Sequence, residues 1–314
     1  MKKLIALVLA SLMVLGLFAA CGSNNTTPET TTNAAADATG DTVKTIKDGV
    51  LKVAISPDFA PMEFVDLTKE GQDQYVGFDV SLSKYIAEQF GLELEIMPMS
   101  FDACQTAVSL GKVDLGISGF SWTEDRAENY NISDWYQAGE NETEQVLITL
   151  AANGDKYKDA ANMKDLKVGA QTASLQESLC AEQLPDAELV VYSDITTGIM
   201  QLKKGDFDVM AVADGNADAL IANNPDIAKT GFEFVVDEKY TDNVILIQKG
   251  NDDMLDAVNA VLAQAKAAGL YETWYNEALE TAGVDVSYDD DGNVITDDAD
   301  ATDATDTTDA TDAA

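Results

Sequence analysis

Leu51-Lys52-Val53-Ala54-Ile55 alternates as a strand does, and Phe78, Leu82, Tyr85, Ile86 and Phe90 then recur at three- and four-residue steps up to Gly91. The first pattern puts side chains on alternate faces of a sheet. The second lays them on one face of a helix that the glycine stops. Working outward, 92–96 alternates again, 103–110 reads as a short helix ended by Gly111, and 113–117 is a compact apolar run. Strand, helix, strand, helix, strand implies a parallel sheet covered by helices, because parallel neighbours need crossover connections.

The order returns further on, with strands expected over 166–170, 188–192 and 207–212 and helices over 174–184 and 195–203. A strand-like 243–248 and an amphipathic 254–268 follow, then Tyr271-Glu272-Thr273-Trp274-Tyr275. These last elements need a sheet to join, so the chain is expected to return to its first half. Connections near Val146 and near Asp242 would then form a two-strand hinge. Two such lobes turn the carboxyl ends of their strands toward a shared crevice, where ligands sit in open α/β sheets.

Composition narrows what that crevice takes. The chain of 314 residues has a formal net charge of -37. Between residues 21 and 284 there are 17 Lys and Arg against 45 Asp and Glu, which repels nucleic acid and anionic lipid surfaces. Histidine is absent, removing the commonest general base and metal ligand and arguing against a hydrolytic triad or a zinc centre. No cofactor and no metal are expected. Cys104 and Cys180 carry the remaining thiols beside Cys21, with nothing in their spacing that requires a bridge.

Both ends read as processing and solvation signals. Residues 1–20 carry two lysines, an apolar run over 4–18, and Ala19-Ala20 before Cys21, the arrangement of an export signal. Phe18-Ala19-Ala20-Cys21 resembles the lipobox of bacterial lipoproteins, which implies a lipid on Cys21 and attachment to the outer face of the cell membrane. Residues 21–45 are polar enough for a flexible tether. Residues 284–314 are rich in aspartate without a basic residue, a composition expected to stay disordered. Asp289-Asp290-Asp291-Gly292-Asn293 lacks the glycine placement and closing glutamate of a calcium loop. The expected division is therefore signal 1–20, linker 21–45, first lobe 46–146, second lobe 147–241, return segment 242–283 and tail 284–314.

Three stretches carry a resemblance: Ser56-Pro57-Asp58-Phe59-Ala60-Pro61-Met62-Glu63-Phe64, Val76-Gly77-Phe78-Asp79, and Gly116-Ile117-Ser118-Gly119-Phe120-Ser121-Trp122-Thr123-Glu124-Asp125-Arg126. Together with Val168-Gly169-Ala170-Gln171 and Asp206-Phe207-Asp208-Val209, they resemble the amino-acid-binding family of bacterial extracellular solute-binding proteins. The resemblance runs over 51–274. It implies a type II periplasmic-binding-protein fold, each lobe a mostly parallel sheet flanked by helices, acting as a monomer that hands an amino acid to an ABC transporter permease.

It also implies site residues. Arg126 matches the carboxylate-binding arginine, whose guanidinium can form two parallel charge-assisted hydrogen bonds. Ser118, Gly119, Phe120 and Ser121 match the strand end beside it. Asp214 matches the aspartate that accepts from the ligand's ammonium, and Phe59 the aromatic lying against the ligand side chain. Ser174-Leu175-Gln176-Glu177 has capping-box spacing, so Ser174 and Leu175 would open a helix whose N-H groups face a carboxylate. Ser56, Asp58, Cys104 and Gln171 match variable pocket positions. Ser56 stands where binders of cationic amino acids tend to carry an acid, which favours a neutral or polar ligand. Glu63 and Trp122 are read as structural. The rival reading is a periplasmic dehydratase acting on prephenate-like acids on the same fold, with a receptor sensor domain as a third.

Overall fold

A computed structural model of the protein describes residues 43–136, 144–284, 287–288 and 294–295. The expected signal, lipidated Cys21 and most of the linker lie outside the described residues.

The first half runs β1 (Val50–Ile55), β2 (Asp58–Phe59), β3 (Glu63–Val65), β4 (Tyr75–Val76), α1 (Phe78–Phe90), β5 (Glu93–Pro98), α2 (Phe101–Ser109), β6 (Leu115–Gly116), α3 (Glu124–Asn129) and β7 (Tyr130–Ile132). The second half runs β8 (Gln145–Leu150), β9 (Lys167–Gln171), α4 (Leu175–Gln183), β10 (Glu188–Tyr192), α5 (Ile195–Lys204), β11 (Val209–Ala213), α6 (Asp214–Asn223) and β12 (Ile227–Glu233). The chain then returns through β13 (Leu246–Gln248), α7 (Asp252–Ala267) and α8 (Leu270–Ala282). Helices α1 and α5 end on Gly91 and Gly205 in the left-handed conformation, at φ 65° and 82°, which costs glycine nothing.

Two five-stranded sheets share one plan. The first is ordered β5-β1-β6-β13-β7 and the second β10-β9-β11-β8-β12. In each, four strands run one way and the fourth in the order runs against them. That opposed strand, β13 or β8, is in both cases the first to enter from the other half.

Strand periodicity sorts each sheet's side chains onto two cores. Leu51, Val53 and Ile55 of β1 pack with α1, α7 and α8, while Ala54 faces α2. On β11, Val209 and Ala211 face α4, and Met210 and Val212 face α5.

Two expectations need correction. Val146 is already inside β8, opposite Val212 in the second sheet, so the second lobe begins before it. Gln145–Leu150 is buried along nearly its whole length and lacks the alternation that marks a half-exposed strand, which made it read as a connection. Within 284–314, Ser287–Tyr288 pairs antiparallel with Val294–Ile295, and from Asp285 onward the rest of that segment lies outside the described residues.

The crossings between lobes are bracketed by backbone pairs. At the first-lobe end Tyr136 and Asn243 exchange N-H···O bonds of 2.9 and 3.0 Å, and at the second-lobe end the Phe234 N-H donates to the Gln145 carbonyl at 2.8 Å. Residues 137–143, which precede the hinge connection expected near Val146, lie outside the described residues.

Candidate binding site

The strand ends converge on one cavity between the lobes. From the first lobe it is lined by Ser56, Asp58, Phe59, Gly119, Ser121 and Arg126, and from the second by Gln171, Ser174 and Leu175. All nine are among the residues expected from the sequence.

Arg126 is the charged anchor. Thr123 caps α3 by accepting the Arg126 N-H at 3.2 Å, which fixes the backbone of this short helix beneath the cavity. The guanidinium lies over the Phe101 and Phe120 rings, 5.5 and 5.3 Å from their centroids, a cation–π support. It donates to the Ser121 carbonyl at 2.6 Å, the Ala173 carbonyl of the opposite lobe at 2.9 Å, and the Gln105 side chain at 3.3 Å. A guanidinium has five N-H groups; these bonds leave one on each terminal nitrogen. Arg126 is 3% exposed and pairs with no carboxylate among the described residues. Burial pulls its pKa down to about 10, so it is a cation held out of water without an anion.

The opposite wall presents a helix start. Ser174 caps α4 by accepting the Glu177 N-H at 3.1 Å, and Glu177 reaches back to accept the Ala173 N-H at 2.6 Å. The reciprocal box orients the Leu175 and Gln176 turn toward Arg126. Ala173 adopts a positive φ of 62°, which aims its carbonyl at the guanidinium.

Asp58 supplies the anion. One carboxylate oxygen accepts from the Ser56 hydroxyl at 3.0 Å and the other from the Ile195 N-H that opens α5 across the cleft. Burial raises its pKa to about 6, against the lowering by those two donors, and the charge of Asp194 adds to the rise. Asp58 pairs with no Lys or Arg among the described residues. A carboxylate and a guanidinium, each lacking a counter-ion, therefore line the same space.

Four expected residues are placed elsewhere. Asp214 is the first residue of α6, and its carboxylate forms an ion pair of 2.7 Å with Lys229 on β12, which also holds Asp218 at 2.8 Å. It is not among the residues lining the cavity, and that lysine holds its carboxylate. Ser118 is fully buried beneath the cavity and donates to Glu63. Phe120 and Cys104 belong to the core under α2; Phe120 supports Arg126 from below. Cys104 and Cys180 are both buried free thiols.

Replacing Asp214 with Asn is expected to leave amino-acid affinity within about twofold by calorimetry while lowering stability by about 1 kcal/mol, since Lys229 keeps Asp218. A large affinity loss would return Asp214 to the site.

Five lining residues were not expected: Phe101, Gln176, Ile195, Ala211 and Val212. Phe101 and Ile195 begin α2 and α5, and Gln176 lies in the first turn of α4. Each helix follows a parallel strand, so the general rule for open α/β sheets was the signal that could have found them.

Gly119 fits against the aromatic lining. It sits at φ 54°, and a Cβ there would lie 2.7 Å from the Phe59 ring. Gly119→Ala is expected to lower stability by ~1–2 kcal/mol through left-handed strain and displacement of Phe59. Chemical denaturation would measure it.

The sequence model for bacterial extracellular solute-binding proteins, family 3, matches residues 51–281. A probable histidine-binding protein of Campylobacter jejuni is 26% identical over 232 residues, covering 71% of this chain and 82% of that protein. The glutamine-binding protein GlnH of the Bacillus subtilis ABC transporter is 25% identical over 286 residues, covering 89% and 98%. Among solved structures, an amino acid ABC transporter substrate-binding protein, AbpA of Streptococcus pneumoniae bound to L-arginine, superposes with a TM-score of 0.69 at 31% identity, covering 75% of this chain and 96% of that one. The crossed-over pair of sheets, the cavity between them and a family match spanning both lobes agree, and the chain belongs to the bacterial extracellular solute-binding proteins, family 3.

Proposed function

We propose that this protein captures a free amino acid between its lobes and presents it to a membrane permease, without chemical change to the ligand. The observation that carries the reading is the buried Arg126 guanidinium, lining the cavity with no carboxylate partner among the described residues. Its open N-H groups donate to the α-carboxylate, with the start of α4 on the far side. Asp58 takes the ligand's ammonium in place of Asp214; an ionised carboxylate accepts about four hydrogen bonds, and the Ser56 hydroxyl and the backbone at Ile195 and Thr196 do not fill that capacity. One cation and one anion on the wall balance a zwitterion of zero net charge. Ser56, Ser121, Gln171 and Gln176 offer hydroxyls and amides to a polar side chain, so the class proposed is neutral or polar amino acids.

The ligand touches both lobes and so stabilises the closed arrangement, in which Arg126 reaches Ala173 and Asp58 reaches Ile195, by its differential affinity. The two crossings bracketed by the 136/243 and 145/234 pairs act as the hinge. Export and a lipid on Cys21 would hold the protein at the outer face of the membrane. A thermal-shift screen of the amino acids tests the reading, because a ligand at a hundredfold excess over its Kd adds about 2.7 kcal/mol to native stability. No shift with any of them would overturn it.

A further inference from the structure

Beneath the cavity lie two carboxyl groups that do not line it, Glu63 on β3 and Asp79 in the first turn of α1, each 0% exposed. Asp79 is supplied with donors: the Gly119 N-H reaches one oxygen at 2.7 Å and the Tyr136 hydroxyl the other at 3.0 Å. Glu63 has one donor, the Ser118 hydroxyl, on Oε1. That same Ser118 oxygen accepts the Ser56 N-H at 3.0 Å. The second oxygen of Glu63 is buried with no donor, and the Asp79 carboxylate lies within hydrogen-bonding reach of the Glu63 carboxyl.

Two ionised carboxylates so placed would leave a bare buried oxygen against a like charge, a costly arrangement. A proton on Glu63 Oε2, donated to Asp79, removes both faults. The donor pattern decides which group holds it, since Asp79 receives two hydrogen bonds from outside the pair and Glu63 one. Among the described residues, no Lys or Arg pairs with either group. Glu63 faces Asp79, Asp58 and the Cys104 thiol, and Asp79 faces Glu63, Tyr136 and the Gly119 N-H, with Tyr271 beyond Tyr136.

We propose that Glu63 is a protonated positioning residue, sharing one negative charge with Asp79, and that its proton ties together the two chain segments forming the first-lobe wall of the cavity. The connected path runs from the Ser56 N-H through Ser118 to Glu63, on to Asp79, and out to Gly119 and Tyr136. It therefore joins the end of β1, the end of β6 and the Tyr136/Asn243 pair at the crossing, independently of which ligand the cavity takes.

Burial raises both carboxyl pKa values, and the charge of Asp79 raises Glu63 further. A carboxyl with a raised pKa binds its proton more tightly in the fold than in the unfolded chain. Its contribution is full below the unfolded value of 4.5 and is lost as pH rises toward the folded value. Glu63→Gln keeps a donor toward Asp79 and an acceptor toward Ser118 without a titrating proton. Asp79→Asn places an amide where three donors converge.

The test compares the full-length protein with both variants, free of added ligand. Infrared difference spectra at pH 7 are expected to show a protonated carboxylic acid C=O band in the wild type that Glu63→Gln removes. Thermal midpoints between pH 5 and 9 are expected to favour Glu63→Gln increasingly over wild type as pH rises, with Asp79→Asn far below both at every pH or failing to fold. Absence of the band, its persistence in Glu63→Gln, a Glu63→Gln variant that does not fold, or Asp79→Asn tolerated better than Glu63→Gln would each overturn the assignment.

Discussion

Replacing Arg126 with Ala is expected to abolish tight binding of the amino acid, weakening it by about 2–5 kcal/mol, roughly thirtyfold to several thousandfold in Kd. The expectation follows from where the charge lies. The guanidinium is buried over two aromatic rings and pairs with no carboxylate among the described residues, so a ligand carboxylate meets a cation already stripped of water. In such surroundings a charge-assisted pair is worth more than at a surface. The variant also loses the bridge to Ala173 across the cleft, which removes a contact that holds the closed arrangement. Arg126→Lys should recover little, because an ammonium cannot keep the Ser121, Gln105 and Ala173 bonds and still offer two parallel donors. Titration calorimetry on variants whose thermal midpoints show them folded separates lost affinity from lost structure.

Replacing Asp58 with Asn is the second large effect, a loss of about 1.5–3 kcal/mol, the range for a hydrogen bond to a charged group. It carries a pH signature. A carboxyl raised to about 6 must release its proton before it can accept an ammonium, so wild-type affinity falls as pH drops through about 6. The Asn variant has no such fall. Stability without ligand moves the other way: the raised carboxyl favours the fold at low pH, and this contribution declines as pH rises from the unfolded value of 3.8 through about 6. Opposite slopes for affinity and ligand-free stability, both flattened in Asp58→Asn, distinguish a ligand-contacting Asp58 from one that only caps α5.

Much of the architecture was legible because local signals agreed. Gly91 and Gly205 stop α1 and α5 where the apolar stripes run out, and the capping-box spacing at Ser174 produces the helix start it predicts. The strands most easily missed were β8 and β12. The first is buried on both faces, and the register of the second shifts between Lys229 and Glu233, so neither shows plain alternation. Nine of the positions that the family resemblance implied line the cavity, most of them near strand ends and helix starts. Asp214 marks a limit of sequence reading: an aspartate following a buried strand looks the same whether it faces a crevice or pairs, as here, with a lysine fifteen residues on. The Glu63–Asp79 pair was equally invisible, since its chemistry depends on bringing β3, α1 and the end of β6 to one point.

The most direct measurement is a crystal structure with the amino acid that raises the thermal midpoint most. Its carboxylate should lie on the Arg126 guanidinium facing the start of α4, with its ammonium on Asp58 and both lobes in contact. A carboxylate bound away from Arg126, or an ammonium on Asp214 with Lys229 displaced, would contradict the assignment.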